Sequence, residues 1–370
     1  MMRVLHLGFE DPRMPGAGGG SVRTHEINRR LAAQGFDITV LTTRYPGWQE
    51  RIQDGVRYVP IGFGDGRNRF LRLVEYVLRL PFEVRQRRAT ADLVVEDFFA
   101  PFSTMAAPLW TKRPTLGVVQ WLHARDKARQ YKLPLHWVER WGVRKHRRLI
   151  AVSHGIGDNL KTLNPAVHVD VIGNGVDPAA WNQEPRRGRD VLFIGRLEYG
   201  HKGLDLLIGA WARCCNQVEG RLLIAGTGPD EARLRAHVDD AGLSERVQLL
   251  GWLSGDEKFR ALSDARLVVV PSRHETFGLV AIDALATGTP VIAFDIACLR
   301  EIIPAGVGWL VEPFDVVAFA DEISRRYAQP GLEAVAEEGR RFAAGYNWDA
   351  LADAQAEAYR AALTSLTTTS

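Results

Sequence analysis

HETFGLVAIDALATGTPVIAF, residues 274–294, sets an acid, a glycine turn, an apolar helix and a β-strand in one short run. Glu275 falls on the loop, and Gly278 opens the helix. The helix is almost wholly apolar but carries a second acid, Asp283, so that carboxylate is buried. A buried carboxylate without a partner costs several kcal/mol, so Asp283 calls for one. A helix start beside a glycine turn offers free backbone N–H groups and a positive dipole end, which together seat a phosphate. The run ends in TPVIAFD (289–295), a near-continuous apolar strand. Such strands alternating with helices build parallel sheets covered on both faces.

The same alternation extends in both directions. RVLHLGF (3–9), FDITVLTT (36–43), ADLVVEDF (91–98), PTLGVVQWL (114–122), RRLIAVS (147–153) and HVDVIG (168–173) read as strands of a first half. VRYVPIG (56–62) is a plausible extra strand there. RDVLFIG (189–195), GRLLIAG (220–226), RVQLLG (246–251) and ARLVVVPS (265–272) join TPVIAFD in a second half. The halves meet in the turn-rich stretch NGVDPAAWNQEPRRGRD (174–190), which fits a hinge. The expected fold is therefore α/β, with two doubly wound parallel-sheet domains, 1–177 and 178–347, and a final helix from Trp348. Ligands in such sheets bind beyond the carboxyl ends of the strands, here in an interdomain cleft.

Composition fits a globular enzyme-sized chain, with 46% apolar and 25% charged residues among 370. No run of roughly 18 apolar residues predicts a membrane span. The first residues, MMRVLHLGFEDP, read as a strand and turn rather than a signal peptide. Cys214, Cys215 and Cys298 lack metal-ligand spacing and are too few for a disulfide framework, which suits buried packing in a reducing compartment. The net charge of +3 conceals an asymmetry: residues 1–180 hold 27 Lys and Arg against 17 Asp and Glu, and residues 181–370 hold 20 against 27. The excess concentrates in 67–88, with seven basic and two acidic groups, and in 125–148, with nine and two. In the first segment Phe70, Leu71, Val74, Val77, Leu78 and Phe82 lie among arginines as on an amphipathic helix. Such a helix faces either a core, with its arginines solvated, or anionic lipid. No nucleic-acid reading motif or stacking platform accompanies the basic half.

Several turns between strands and helices carry candidate ligand groups. GAGGGS (16–21) departs from a dinucleotide fingerprint because Ser21 replaces the third glycine, and LTTRYP ends the next strand without an acid for a ribose. Either Gly19 and Gly20 let a bulky ligand approach the backbone, or the loop is a flexible turn. In GRLEYGHKG (195–203), Arg196 follows a strand and Lys202 precedes a helix, a fork and a point charge suited to phosphate oxygens. Trp252 and Leu253, after a strand, sit where backbone groups read a base edge, with packing an equal alternative for the indole. His123 ends a strand and either faces a reacting sugar or serves the fold. P-loop, H-E-x-x-H, C-x-x-C and G-x-S-x-G patterns do not occur.

In this order, the motifs resemble the retaining, nucleotide-sugar-dependent glycosyltransferases of family four, which share the GT-B architecture of two Rossmann-like domains. The similarity runs from the glycine loop through the Arg196/Lys202 motif, PS-x-x-E-x-F-G-L (271–279) and A-x-G-x-P-V-I (286–292) to the Trp348 helix. The resemblance implies that Arg196 and Lys202 grip the donor diphosphate. Glu275 would hold a hydroxyl of the transferred sugar, beside the N–H groups of Phe277, Gly278 and Leu279. Gly19 and Gly20 would line the phosphate path, and His123 the far side of the sugar. The family has glutamate where this chain has Asp283, so the ribose contact made there would be weaker or water-mediated. No cofactor or metal is implied, and helix 348–370 would return to the first domain.

The function so implied is retaining transfer of a hexosyl unit from a nucleotide-diphosphate sugar to a hydroxyl acceptor in cell-envelope glycan, glycolipid or glycoside synthesis. No protein nucleophile is nominated. The acceptor is a lipid-linked or soluble glycan or a small molecule, and 67–88 and 125–148 favour an anionic or membrane-presented one. The expected location is cytoplasmic, peripheral on the inner membrane face. The alternatives are a sugar-nucleotide epimerase or phosphorylase on the same fold, or a non-catalytic nucleotide-sugar binder.

Overall fold

A computed structural model of the chain describes residues 1–15, 17–98, 107–122 and 135–364. The chain forms two compact units, Met1–Gly175 with Trp348–Ser370, and Val176–Asn347. Each has its own sheet and its own core.

The first unit contains β1 (Arg3–Leu7), β2 (Asp37–Thr43), β3 (Arg51–Gln53), β4 (Val56–Ile61), β5 (Leu93–Phe98), β6 (Thr115–Val119), β7 (Arg148–Ala151) and β8 (His168–Val171). Their spatial order is β3-β4-β2-β1-β5-β6-β7-β8. All neighbours are parallel except β3, which pairs antiparallel with β4. Strand alternation sends Leu5, Leu7 and Val94 to one face, where they meet Tyr76, Leu80 and Val84 of the helix Arg69–Arg87. Val4 and Val95 point to the other face and meet Ile27 and Leu31 of the helix Gly19–Ala33.

That second face also takes the last helix, Trp348–Thr364, through Ala352, Ala356 and Tyr359. A polar thread ties the helix down. The buried Arg23 guanidinium donates to the Ile172 carbonyl and to Gln355 Oε1, each at 3.0 Å, and Gln355 donates to the Tyr359 hydroxyl at 2.8 Å. Burial lowers the Arg23 pKa to about 10, because its partners there are neutral acceptors.

The second unit contains β9 (Val191–Ile194), β10 (Leu222–Ala225), β11 (Val247–Gly251), β12 (Leu267–Val270), β13 (Val291–Phe294) and β14 (Gly308–Val311). The order is β11-β10-β9-β12-β13-β14, all parallel. Numbered within the unit this is the 3-2-1-4-5-6 order of a doubly wound nucleotide-binding sheet, whose direction of winding reverses between β9 and β12.

Two strands were not expected. β3 is three residues of an edge hairpin, and its RIQ has no apolar run to announce it. β14 is only GWLV, preceded by turns that hide its start. The glycine run also differs from the expected open loop: Gly19 and Gly20 form the first turn of a helix whose N-cap is Gly18, and Gln120 Nε2 donates to the Gly20 carbonyl at 3.2 Å. The helix over 69–87 holds a larger departure. Its core side is Tyr76, Leu80 and Val84, so Phe70, Leu71, Val74, Leu78 and Phe82 are exposed, and the core-facing alternative for them does not hold.

Tyr359 is fully buried with its ring 6.4 Å from that of Phe36, edge to face. Tyr359→Ala should therefore destabilise the first unit by about 3–5 kcal/mol, the usual cost of deleting a buried aromatic ring. Hydrogen exchange should quicken in β1 and β5 and stay unchanged in β9, β10 and β12. Equal acceleration in both units would show that the two cores are not separate.

Candidate functional site

The carboxyl ends of β9 and β12 flank the point where the second sheet reverses its winding. β9 is followed by Gly195–Glu198 and the short helix Tyr199–Lys202, and β12 by the loop Pro271–Gly278. The two loops are fastened together by backbone. Arg273 N–H donates to the His201 carbonyl at 2.9 Å, and Arg273 Nη1 to the Tyr199 carbonyl at 3.0 Å. The Arg273 fork also grips Asp205 with two 2.7 Å bonds, which holds the Asp205 carboxyl below its usual range. Gly203, at φ +65°, ends the short helix where a Cβ would stand 2.0 Å from the Pro271 carbonyl oxygen. Only glycine permits that approach.

The outcome of this packing is an ion pair between Lys202 Nζ and Glu275 Oε1. Ser272 Oγ donates to the same carboxylate oxygen at 2.8 Å, and Cys298 Sγ donates to the Glu275 carbonyl at 3.2 Å. Burial pushes the Cys298 thiol up to about 12, so it acts as a neutral donor and not as a thiolate. Both members of the pair stay partly open, Lys202 at 22% and Glu275 at 16% side-chain exposure, so a ligand can still reach them. Arg196 is different: it is exposed, and among the described residues its ion-pair partner is Glu198 at a loose 3.7 Å.

Beside Glu275, Gly278 takes φ +95° and is the N-cap of the helix Leu279–Ala286. Among the described residues no side chain caps this helix, which starts where the Pro271–Gly278 loop ends. Phe277 contributes backbone only, since its ring is buried 5.8 Å from that of Tyr346. Asp283, one turn into the helix, is buried as expected, and its partner is Lys258, whose Nζ donates to Oδ2 at 2.5 Å. Burial raises the Asp283 pKa despite that ammonium. Trp252 follows the positive-φ Gly251 and is 66% exposed, so it is not a packing residue, and Leu253 is half-buried next to it.

Arg196, Lys202, Glu275, Phe277, Gly278, Leu279, Asp283, Trp252 and Leu253 thus all belong to the second unit, on the loops and helices that follow strand ends. Gly19 and Gly20 belong to the first, at the helix start after β1. Beneath them Asp97, at the end of β5, accepts from Thr24 Oγ1 at 2.8 Å and pairs with His6 Nε2 at 3.0 Å. His6 Nδ1 lies 2.9 Å from Asn28 Nδ2, so Thr24, Asp97, His6 and Asn28 form one buried polar chain. His123 lies outside the described residues. Sequence reasoning passed over Lys258, Ser272 and the Arg273–Asp205 clamp. Lys258 was the most findable, as the cation in GDEKFRAL after a strand. Among the described residues no cluster of three or more His, Cys, Asp or Glu could hold a metal.

Lys258→Met should cost roughly 1–3 kcal/mol, because it leaves Asp283 buried without a cation; Lys258 is itself a quarter exposed, which keeps the loss below that of a fully buried pair. The pH sign can be checked on Asp283→Asn. A carboxyl raised in the fold binds more protons there than in the unfolded chain, so its contribution declines as pH climbs from the unfolded value of 3.8 through the raised one. Relative to the native chain, the Asn variant should gain stability over that window in urea unfolding. A gain as pH falls would reverse the assignment.

Two family models match the chain: Glycosyltransferase Family 4 over residues 17–180, and glycosyl transferases group 1 over 188–329. A phosphatidyl-myo-inositol mannosyltransferase of Mycobacterium leprae is 33% identical, over 94% of this chain and 94% of its own length. A glycogen synthase of Mycobacterium tuberculosis is 29% identical, over 98% and 95%. Among solved structures, sucrose-phosphate synthase from Thermosynechococcus elongatus superposes with a TM-score of 0.81 at 23% identity, covering 99% of this chain and all of that one. Anabaena HepE, solved with UDP and glucose, superposes with a TM-score of 0.73 at 18% identity, over 98% and 100%. The strand order, the motifs and these likenesses agree: the chain is a glycosyltransferase of family 4, built from the two α/β units of the GT-B fold.

Proposed function

We propose that the protein transfers a hexosyl unit, with retention, from a nucleotide-diphosphate sugar to a hydroxyl acceptor. The observation that carries this reading is the Lys202–Glu275 pair beside the uncapped helix start at Gly278. A cation, a carboxylate and free amides within one loop cluster match a phosphate joined to a polyhydroxylated ring. Relatives support the donor class: a Xanthomonas campestris protein, 28% identical over 72% of this chain, is named for GDP-mannose, and HepE binds UDP.

The difficult step breaks the anomeric C–O bond while charge grows on the departing diphosphate. Donors already in place stabilise such charge without reorganisation. Arg196, exposed and loosely held, closes on the diphosphate, and Lys202 turns part of its bonding from Glu275 to a phosphate oxygen. Glu275, still fixed by Ser272, accepts from a sugar hydroxyl. The N–H groups at Phe277–Leu279 take the remaining phosphate or sugar oxygens. The acceptor oxygen bonds to the anomeric carbon on the face the diphosphate leaves, and its proton passes to the leaving phosphate oxygen. No covalent enzyme intermediate and no metal is needed, since the cations carry the charge. Trp252 and Leu253 border the base. Asp283, short by one methylene and engaged by Lys258, meets the ribose through water or through the Lys258 ammonium. Gly19, Gly20 and His123 keep only the roles that the family resemblance implies for them.

A charge-assisted hydrogen bond contributes about 1.5–3 kcal/mol, so Arg196→Ala and Lys202→Ala should each slow transfer by about 10- to 100-fold. Thermal unfolding without ligand should stay level in Arg196→Ala, whose side chain is exposed, and fall modestly in Lys202→Ala, which leaves Glu275 without its cation. A thermal-shift screen of nucleoside diphosphates and their sugars identifies the donor first, and the product's anomeric configuration by NMR then checks retention. Full activity in both variants would sink the diphosphate assignment. Sugar conversion without an acceptor would favour an epimerase, and donor binding without any turnover a plain binder.

A further inference from the structure

The outer face of the helix Arg69–Arg87 has the wrong chemistry for water. Phe70, Val74, Leu78 and Phe82 recur every fourth residue, so they share one face, and all four are exposed. Leu71 and the preceding Phe63 widen the row. The opposite side already fills the core with Tyr76, Leu80 and Val84. Packing therefore does not explain the outer row, and contiguous exposed apolar surface marks an interaction site.

Cations frame the row. Arg67, Arg85 and Arg88 are exposed, and the Arg79 guanidinium lies 5.3 Å from the Phe63 ring and 5.5 Å from the Phe82 ring. The helix Leu135–Lys145 repeats the pattern, with exposed Trp137 and Trp141 and the Lys145 ammonium 5.5 Å from the Trp141 ring. Both helices lie on the same face of the first sheet. Val94 points to the helix 69–87 side, Glu96 shares its parity on β5, and Glu96 meets His146, the residue that follows helix 135–145. Each helix also starts after the carboxyl end of a strand, β4 or β6, so both begin at one edge.

A second copy fits this face poorly, because a two-fold contact sets a patch against itself and would bring two rows of arginines together. An apolar strip one helix wide, flanked by arginines and accompanied by tryptophans, has the make-up of an interfacial lipid-binding surface. We propose that this face of the first unit docks on an anionic bilayer. Phe70, Leu78 and Phe82 enter the boundary between headgroups and acyl chains, the arginines reach lipid phosphates along their stems, and Trp137 and Trp141 sit at headgroup depth. Docking needs no sugar chemistry, so it stands or falls apart from the transfer reaction.

The test is co-sedimentation of the full chain with vesicles of phosphatidylcholine alone or mixed with phosphatidylglycerol. Binding is expected for the mixed vesicles at low salt, and should fall by about tenfold or more at high salt. Phe70→Ser/Leu78→Ser/Phe82→Ser should lower it as far while leaving thermal unfolding unchanged, because all three side chains are exposed. Brominated lipid should quench fluorescence in the native chain and less in Trp137→Phe/Trp141→Phe. The proposal is overturned if mixed vesicles leave the native chain in the supernatant or the triple variant binds as well as the native. It is equally overturned if gel filtration shows a dimer that the triple variant abolishes, or if the chain ignores vesicles yet binds polyglutamate.

Discussion

The Pro271 carbonyl leaves no room for a side chain at position 203, and the second unit's site depends on that close approach. Because Gly203 accepts a left-handed turn there, the end of the short helix lies directly against the loop after β12. Lys202 and Glu275 are 73 residues apart in the chain, yet they become partners because the strands that precede them are neighbours. The Arg273–Asp205 clamp and the Ser272 hydroxyl then restrict how either side chain moves. Positioning by backbone suits charge stabilisation, since a cation held in advance pays no reorganisation when phosphate charge develops.

Lys202–Glu275 and Lys258–Asp283 differ although both are lysine–carboxylate pairs. The first is a partly open pair in which each group keeps capacity for a ligand. The second sets a buried carboxylate against an ammonium at its rim, and burial dominates the acid's titration. Asp283 is one methylene shorter than the glutamate its family carries, and Lys258 spans the space from the neighbouring helix. That position thus presents a pair rather than one acid.

Much of the fold was legible because burial on both faces leaves a plain signal: strands such as LVVV and VIAF are uninterrupted apolar runs. β3 and β14 were not, since an edge of three residues and a four-residue strand among turns bury too little to leave a pattern. The loops that meet after β9 and β12 were legible through motif order, and Asp283's need for a partner through electrostatics. The partner's identity was not, because Lys258 comes from another helix and only the tertiary packing brings it near. The helix at 69–87 shows the limit of periodicity. Its apolar residues run nearly all round, and a hydrophobic pattern alone does not say which side meets the core.

The core clusters are each drawn from one unit, and this has an evolutionary consequence. Substitutions far apart with no shared neighbours add in their effects, so drift in one lobe leaves the stability margin of the other intact. Descendants of such a chain can remodel the surface of the first lobe while inheriting unaltered the packed loops at the ends of β9 and β12.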